Sequence, residues 1–343
     1  FSIIEDNHIH HINNMMELGG AEIAGIKMHA AIDVTMRRNH IHHCTMGIWC
    51  DWEAQGTRLS QNLLHDNQRP PFASVLKGGM MSQDIFVEVG HGPTLIDNNI
   101  MLSDASLRFA TEGVALVHNL ICGALTCVGG GTGPRYTPYH MPHRTEVMGF
   151  MTVLHGDDRF YNNIFVQKWP SDDIITMHDS DDGFDTENRA AGTWMFDEYP
   201  TYDEWISQFD FSKPADMAKL YGAHEGKLPV WIEGNAYLGG AKPSKKDVNA
   251  LISDVAREDV RVELVQKEDG YYLDTNVYEL IEGFKNRMID SDVLGKAFEP
   301  EERFENPDGT AIRFDSDYFG THRGVDVIPG PFAGAEEAAK VLY

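Results

Sequence analysis

The sequence predicts an all-β fold, a right-handed parallel β-helix with a C-terminal mixed α/β appendage. Two features of the first half of the chain favour the β-helix: an asparagine repeat, and short β-rich stretches that precede most of its copies. In addition, this half lacks the long runs with a period of about 3.6 residues that a helical solenoid would need. A β-sandwich, which also consists of many short strands, is the alternative fold.

The repeat has the pattern Asn-x-(Ile/Leu). Its copies begin at Asn7, Asn39, Asn62, Asn98, Asn119 and Asn162. The shortest spacings, from Asn39 to Asn62 and from Asn98 to Asn119, predict the length of one coil, and the longer spacings predict a coil with a loop or two coils. Asparagine suits the corner of such a coil because it tolerates left-handed backbone and can pair its amide with the copy one coil away.

The stretches before these asparagines are short and rich in β-branched and aliphatic residues. They are residues 32–36, 57–60, 93–96 and 114–117. Short strands at a steady spacing, separated by turns that contain asparagine, are typical of stacked repeats.

The repeat fades after residue 168. We therefore divide the chain into residues 1–168, the coils of the β-helix, and residues 169–343, a C-terminal region with helices, a hairpin and short strands packed on those coils. Helices are predicted at residues 202–209, 214–221, 244–255 and 275–287. Residues 260–266 and 271–274 are predicted to form a hairpin across the turn at residues 268–270.

Acidic residues dominate the composition: Lys and Arg number 28, Asp and Glu number 53, and the net charge is −25. A field of this sign repels phosphate backbones and anionic lipid, so we expect neither nucleic acid nor a membrane surface as a partner. No apolar run approaches the roughly 20 residues of a membrane span.

The four cysteines contain no CxxC pair. They are Cys44, Cys50, Cys122 and Cys127. We interpret them as buried thiols in a reducing compartment, which favours a cytoplasmic protein. A disulfide between Cys122 and Cys127 is the alternative.

Two acidic residues stand at equivalent positions of neighbouring coils. Residues 47–51 align with residues 84–88 when both are counted back from the next repeat asparagine, and this places Asp51 beside Glu88. Residues 25–29 align one coil earlier, which places His29 in the same row. Because a strand alternates its faces, these three side chains are predicted to point away from the core.

Stacked in this way, the carboxyl groups of Asp51 and Glu88 would lie about 5 Å apart, the separation expected of a retaining glycosidase. Like charges at this distance move the two pKa values apart, which suits one ionised nucleophile and one protonated acid. A solvated acidic pair is the alternative. The surrounding aromatic residues argue against it, since such rings hold sugars. They are Trp49, Trp52, Phe86 and His91. The loop of residues 68–83 could form a wall of the pocket.

Several segments around these acids resemble glycoside hydrolase family 120, a family of β-xylosidases built on a parallel β-helix. They are residues 47–58, which contain Trp-Cys-Asp-Trp-Glu-Ala-Gln-Gly-Thr, residues 86–93, residues 97–99, residues 22–27 and residues 320–324. The resemblance is dense over residues 20–125 and looser beyond them.

The resemblance implies that Asp51 is the nucleophile, that Glu88 is the acid/base and that Glu22 is a substrate-binding carboxylate. It also implies an enzyme that releases xylose from the non-reducing ends of xylo-oligosaccharides with retention of configuration. Within this hypothesis, His29 and His91 bind the sugar and Trp52 packs against its ring. The length of the loop at residues 68–83 leaves a related specificity, such as arabinosidase, open.

The family also has further coils and a β-sandwich domain ahead of this region. We therefore expect the natural start to lie upstream of Phe1, and an upstream portion of the same protein to be a partner of this chain. Assembly into a homo-oligomer is left open.

Other functions are weighed against this one. A β-helix polysaccharide lyase would need a basic residue near acid-bound calcium, and Lys27 and Arg58 are the candidates; a non-catalytic carbohydrate-binding or structural β-helix is the other alternative. Two copies of His-Ile-His-His, at residues 8–11 and 40–43, are interpreted as stacked polar ladders, and a metal site is the alternative, since imidazoles are good ligands. The acidic residues 178–185 are interpreted as a solvated loop, with a calcium-binding loop as the alternative, although they lack the final glutamate of an EF-hand loop. The glycine-rich residues 129–133 are interpreted as a flexible loop. We predict no metal and no cofactor.

Overall fold

The computed structural model describes residues 1–13, 22–68, 82–129, 136–168, 175–177, 186–210, 212–213 and 227–343. Three sheets built largely of parallel strands dominate it. From residue 2 to residue 129 the chain visits the sheets in rotation, so that each circuit adds one strand to each sheet. Residues in register on neighbouring circuits therefore form rows that cross the strands.

The first sheet contains, in order, β1 (Ser2–Glu5), β4 (Val34–Arg37), β7 (Thr57–Ser60), β10 (Thr94–Asp97), β13 (Val114–Val117), β18 (Asp158–Tyr161) and β22 (Val230–Glu233). The second contains β2 (His8–His10), β5 (His40–His42), β8 (Leu63–His65), β11 (Ile100–Met101), β14 (Leu120–Ile121), β19 (Ile164–Val166), β23 (Ala236–Leu238) and β24 (Leu251–Ile252). The third contains β3 (Ile26–Met28), β6 (Ile48–Cys50), β9 (Ile85–Glu88), β12 (Ala105–Ala110), β15 (Ala124–Gly129), β21 (Thr186–Ala190) and β20 (Ile175–Met177).

Three antiparallel pairs complete the strands: β16 (Tyr136–His140) with β17 (Val147–Thr152), β25 (Val262–Lys267) with β26 (Gly270–Thr275), and β27 (Asn286–Arg287) with β28 (Asp326–Val327). The helices of the described residues are short: α1 (Tyr202–Ile206), α2 (Val277–Leu280), α3 (Ser291–Leu294), α4 (Ala335–Ala338), and 3₁₀ turns at Trp194–Glu198 and Arg257–Asp259. None of the helices in this part of the chain is long and apolar enough to cross a membrane.

This architecture corrects the predicted fold class, an all-β right-handed parallel β-helix with a C-terminal mixed α/β appendage. The structure is a mostly β fold of stacked parallel sheets, and the third sheet ends in antiparallel strands, because β21 runs antiparallel to both β15 and β20. The described part of the C-terminal region has only helices of three to five residues, so it is not a mixed α/β unit. Strands β22, β23 and β24 continue the first two sheets past residue 168. The division at residue 168 stays a prediction.

The predicted C-terminal elements meet different outcomes. The hairpin is confirmed as β25 and β26. The helix at residues 202–209 is present only over Tyr202–Ile206, where Thr201 and Glu204 form a capping box. The predicted helix at residues 275–287 shortens to Val277–Leu280, and that at residues 244–255 is wrong, because Leu251–Ile252 pair with β23 instead. The predicted helix at residues 214–221, the loop at residues 178–185 and most of the loops at residues 68–83 and 129–133 lie outside the described residues.

A ladder of asparagine side chains runs along the second sheet, immediately before its strands. Its members are Asn7, Asn39, Asn62, Asn99, Asn119, Asn163 and Asn235. The Oδ1 atom of Asn62 accepts hydrogen bonds from both the backbone N–H and the side-chain amide of Asn39, at 3.0 Å each, and this pattern repeats at the other steps. The ladder therefore satisfies buried polar groups at one corner of every circuit.

The register of the repeat differs from the sequence prediction at two copies. The ladder uses Asn99 and Asn163, whereas Asn98 and Asn162 adopt the left-handed backbone of the preceding corner, with φ of 53° and 55°. The sequence pattern is ambiguous there because two asparagines are adjacent. Asparagine suits both the left-handed corner and the ladder, so the pattern does not show which of the two residues takes which position.

The interior of the circuits is apolar. Ile48, Cys50, Ile85, Val87 and neighbouring side chains from the three sheets form the main core cluster. All four cysteines are buried and free, so the alternative disulfide is not formed.

The ladder generates a test of stability. Replacing Asn62 by Ala removes four hydrogen bonds to Asn39, Met36 and Asn99 inside the protein, and it takes the side-chain acceptor away from the buried backbone N–H of Asn39. We expect the free energy of unfolding to fall by about 2–4 kcal/mol in a denaturant titration. The matched control is Asn7→Ala at the exposed end of the ladder, which should cost less than about 1 kcal/mol. Equal losses in the two variants would contradict a buried ladder.

Candidate active site

Adjacent strands of the third sheet bring Asp51 and Glu88 together. Strands β6 and β9 are parallel, with Trp49 opposite Phe86 and Cys50 opposite Val87. Asp51 follows β6 directly and Glu88 ends β9, so the same register makes the two residues neighbours across strands that are spaced about 4.8 Å apart. The alignment derived from the sequence is the observed register.

A close backbone contact helps to set this register. Gly47 precedes β6, and a Cβ atom there would lie 2.4 Å from the carbonyl oxygen of Asp84, the residue before β9. A larger residue would push the two strands apart, so the local sequence Gly-Ile-Trp-Cys-Asp suits this approach.

The acidic pair lies on the outer face of the sheet. Ile48 and Cys50 contribute to the main core, whereas Trp49 and Phe86 belong to a separate small cluster with Met46 and Ala110. Since successive side chains of a strand alternate between faces, Asp51 and Glu88 share the face of Trp49 and Phe86.

A row of aromatic rings between two cations lies next to the acids. The register places Lys27, Trp49, Phe86 and Arg108 in this order across four strands. The Lys27 ammonium lies 4.1 Å from the Trp49 ring centroid, and the Arg108 guanidinium lies 4.8 Å from that of Phe86. These cation–π contacts hold positive charge close to both carboxyl groups.

Asp51 is kept ionised. Lys27 Nζ donates to its Oδ2 at 2.5 Å, and the backbone N–H of Trp52 donates to its Oδ1 at 2.6 Å. Burial by itself raises the pKa of Asp51, but the hydrogen bonds from Lys27 and Trp52 bring that pKa below the usual range of an aspartate.

Glu88, in contrast, is favoured in its protonated form. Burial, followed by the negative charge of Asp51, raises the pKa of Glu88 to about 7, although the positive charge of Arg108 opposes the shift. The indole N–H of Trp49 donates to Glu88 Oε2 at 3.1 Å and orients the carboxyl group. Near neutral pH the site therefore combines an ionised carboxylate with an adjacent carboxyl group that holds a proton, the arrangement that a nucleophile and a general acid require.

The predicted sugar-binding residues Glu22, His29 and Trp52 surround Asp51. His29 is next to Asp51 in the register of β3 and β6, and its exposed ring packs edge-on against Trp52 at 5.4 Å. Glu22 is exposed and accepts a hydrogen bond from Lys27, so this lysine links it to Asp51. The indole nitrogen of Trp52 is buried and has no hydrogen-bond partner among the described residues.

His91, also predicted to bind the sugar, has its ring nitrogens engaged by the protein. Nδ1 lies 2.5 Å from Glu112 Oε1 and Nε2 lies 3.1 Å from the carbonyl oxygen of Thr137. Burial alone would lower the pKa of His91, but Glu112 raises it above its usual range. A sugar hydroxyl could reach this ring only by replacing one of these hydrogen bonds.

Sequence reasoning missed two features of the site. The sequence singles out Lys27 only as a candidate base of a lyase, whereas its register with Trp49 places it next to Asp51. The hairpin of β16 and β17 is anchored to the segment after Asp51: Gln55 exchanges hydrogen bonds with the backbone of His140, at 3.0 and 2.9 Å, and His140 Nε2 lies 3.3 Å from Glu53. No sequence signal indicated this contact, because it joins residues that are far apart in the chain.

Three groups among the described residues could hold a metal ion. One combines Asp33, His143 and Glu302, and the other two are built from histidines of β2, β5 and β8. Asp51 and Glu88 belong to none of these groups.

Comparison with known proteins adds one relationship. No family model and no curated protein sequence matches this chain. Among solved structures, the chain is similar to XylC in its complex with xylose, with a TM-score of 0.81 and 34% sequence identity. The similarity covers 97% of this chain and 46% of the XylC chain, so this chain spans about half the length of that protein. The chain thus resembles, in fold and in sequence, a protein that was solved with xylose.

The coupling of the two acids can be tested directly. In Asp51→Asn the negative charge beside Glu88 is removed, so the pKa of Glu88 should fall below about 7. Carboxyl ¹³C NMR titration of the variant and the wild type measures the change. Asp104→Asn, at an exposed position, serves as the control and should leave the titration unaltered. An unchanged pKa in Asp51→Asn would show that the two carboxyl groups are not neighbours.

Proposed function

We propose that this chain carries the catalytic centre of a retaining β-xylosidase of glycoside hydrolase family 120 that releases xylose from the non-reducing ends of xylo-oligosaccharides. The observation that carries the proposal is the pair of side-by-side carboxyl groups, with the pKa of Asp51 lowered and that of Glu88 raised to about 7. The similarity to XylC in its complex with xylose supports xylose as the sugar.

In the first step, an ionised Asp51 oxygen attacks the anomeric carbon while the bond from that carbon to the leaving oxygen breaks. Glu88 transfers its proton to the leaving oxygen. A glycosyl ester on Asp51 forms with inverted configuration.

In the second step, Glu88, now ionised, takes a proton from water as the water oxygen attacks the anomeric carbon. The ester bond to Asp51 breaks and xylose leaves. Two inversions give net retention, and both carboxyl groups return to their starting states. The position of Asp51 and Glu88 on adjacent strands, which are spaced about 4.8 Å apart, supports this route, because an inverting enzyme needs room for a water molecule between its carboxyl groups.

The neighbouring residues support substrate binding. Glu22 and His29 are exposed beside Asp51 and are proposed to bind sugar hydroxyls, and the half-buried Trp52 is proposed to pack its ring against the sugar. His91 is proposed to bind a sugar hydroxyl by exchanging its hydrogen bond to the carbonyl oxygen of Thr137 for one to the substrate. The upstream partner portion and a cytoplasmic location stay predictions, and assembly into a homo-oligomer stays open.

The lyase alternative is disfavoured by the state of its candidate bases. Burial alone would lower the pKa of Lys27, but its hydrogen bonds to Asp51 and Glu22 raise that pKa above its usual range, so the amine stays protonated. Arg58 lies in β7 of the first sheet, where it forms an ion pair with Asp97 at 2.8 Å. Neither group is positioned as a neutral base beside the acids.

The roles of the two carboxyl groups predict opposite products of chemical rescue. With an aryl β-xyloside, Asp51→Ala and Glu88→Ala should both lose activity by several orders of magnitude. Added azide should restore turnover in both variants, with α-xylosyl azide formed by Asp51→Ala and β-xylosyl azide by Glu88→Ala, because azide replaces the nucleophile in one and the incoming water in the other.

The control for this experiment is Asp104→Ala, which removes an exposed carboxyl group elsewhere and should retain wild-type rates. Product configuration is read by NMR. Near wild-type rates in the Asp51 and Glu88 variants would mean that the acids are a solvated pair, and a non-catalytic function would then replace this one.

The pKa shifts also predict the pH profile of kcat/KM. Activity should fall on the alkaline side as Glu88 loses its proton around pH 7, and on the acid side only below the usual range of an aspartate, where Asp51 becomes protonated. Since the two groups interact, the apparent values belong to the pair. With an activated aryl leaving group, Glu88→Ala should lose the alkaline limb. A wild-type rate that rises through neutral pH would contradict the acid role of Glu88.

A further inference from the structure

Seven histidines gather on one face of the second sheet, away from the acidic pair on the third. They are His8, His10, His11, His40, His42, His43 and His65. The strands β2, β5 and β8 are neighbours in parallel register, with His8 opposite His40 and His42 opposite both His10 and His65. Together these residues are called the histidine cluster.

The rings of the cluster stack across the strands. The His8 and His40 rings are 4.6 Å apart with an interplanar angle of 2°, and the His42 and His65 rings are 4.7 Å apart with an angle of 7°. Because the rings stack in register, ring nitrogens from successive strands lie close to one another.

The ring nitrogens meet in close pairs. His8 Nε2 lies 2.8 Å from His42 Nε2, and His40 Nε2 lies 2.7 Å from His65 Nε2. The ligand nitrogens of His8, His40 and His42 all lie within 4.8 Å of one another, as do those of His42, His43 and His65. His42 is common to both groups.

One ring of the cluster is oriented by a carboxylate. His65 Nδ1 lies 2.6 Å from Asp66 Oδ2, so its N–H faces the acid and the lone pair of Nε2 faces His40. A carboxylate behind a histidine fixes the tautomer of the ring and increases the basicity of the nitrogen that faces a metal.

The cluster also favours neutral imidazoles. Burial, followed by the charges of the neighbouring histidines, lowers the pKa of His40 to about 2 and that of His42 to about 3. A neutral ring offers a lone pair, which a protonated ring lacks.

We propose that the histidine cluster binds a late first-row divalent metal ion, such as Zn²⁺, through imidazole nitrogens of His8, His40 and His42, with His65 as the adjacent fourth ligand. Only imidazole nitrogen is present in this set, a donor that suits zinc, copper and nickel rather than calcium or magnesium.

The geometry of His8, His40 and His42 fits such an ion after small rotations of the side chains, whereas His65, which lies outside this triad, would turn further to become the fourth ligand. Zn–N bonds of about 2.0–2.1 Å in a tetrahedral site place ligand nitrogens roughly 3.3–3.4 Å apart. The nitrogens of the His8–His42 pair, at 2.8 Å, would move apart by about half an ångström. The other nitrogen–nitrogen distances within the triad are at most 4.8 Å, so the required separation lies within reach of side-chain rotation. His8 is exposed, which gives the ion an entry path, whereas His40 is fully buried.

Bound metal would link three neighbouring strands, since its ligands come from β2, β5 and β8. It would therefore stabilise the stacking of circuits rather than take part in reaction at Asp51 and Glu88, and the proposal does not rest on the proposed function.

The test is metal binding by the full chain, purified without a histidine tag and stripped with a chelator. Titration with Zn²⁺ in competition with a chromophoric chelator should show one tightly bound equivalent, and Zn²⁺ should raise the melting temperature. His8→Asn and His65→Asn should each weaken binding more than about tenfold, and Asp66→Asn should weaken it roughly 10- to 100-fold through His65. Co²⁺ should show the visible absorption of nitrogen ligation.

His322→Asn is the matched control, because His322 is an exposed histidine outside the cluster, and it should bind Zn²⁺ as the wild type does. Circular dichroism of the metal-free variants checks that they fold, and His8, being exposed, can be changed without opening the core. Absence of a tight equivalent in the wild type, or equal affinity in His8→Asn, His65→Asn and the control, would overturn the proposal and leave the cluster as a hydrogen-bonded ladder.

Discussion

The parallel register between successive circuits is the constraint on which the rest of the structure depends. Each circuit must return to the same three sheets one strand spacing further on, and the buried asparagine ladder enforces this return by saturating backbone and side-chain groups at one corner. Since a shift of one residue would exchange core and surface faces, the ladder and the apolar interior select the same register.

Because of this register, residues at equivalent positions of successive circuits become neighbours in space. Asp51 and Glu88 are separated by an inserted segment in the sequence, yet they are neighbours because Trp49 pairs with Phe86. Their chemistry then follows from their surroundings, since Asp51 receives a cation and a backbone N–H while Glu88 is buried against the charge of Asp51. Two residues of similar intrinsic acidity thereby acquire opposite protonation states.

The same rule concentrates histidines on the second sheet. One His-Ile-His-His segment is an unremarkable surface strand, but two copies in register with His65 form a three-strand array of imidazoles. Rows of this kind can hold an acid pair, an aromatic platform or an array of metal ligands, depending only on which residue type is repeated.

The sequence by itself determined the strands of the repeat, their faces and the pairing of Asp51 with Glu88, because these depend on local alternation and on a spacing that can be counted. It misplaced the ladder at Asn98 and Asn162, and it extended helices into residues 244–255, because local patterns do not show that β24 pairs with β23. Only the tertiary structure decided that the third sheet ends in antiparallel strands and that Lys27 links Glu22 to Asp51. It also decided that Gln55 binds the hairpin at His140 and that both ring nitrogens of His91 are engaged by the protein. Those features depend on contacts between distant segments, and the protonation of Asp51 and Glu88 depends on burial and on neighbouring charges that exist only once the chain has folded.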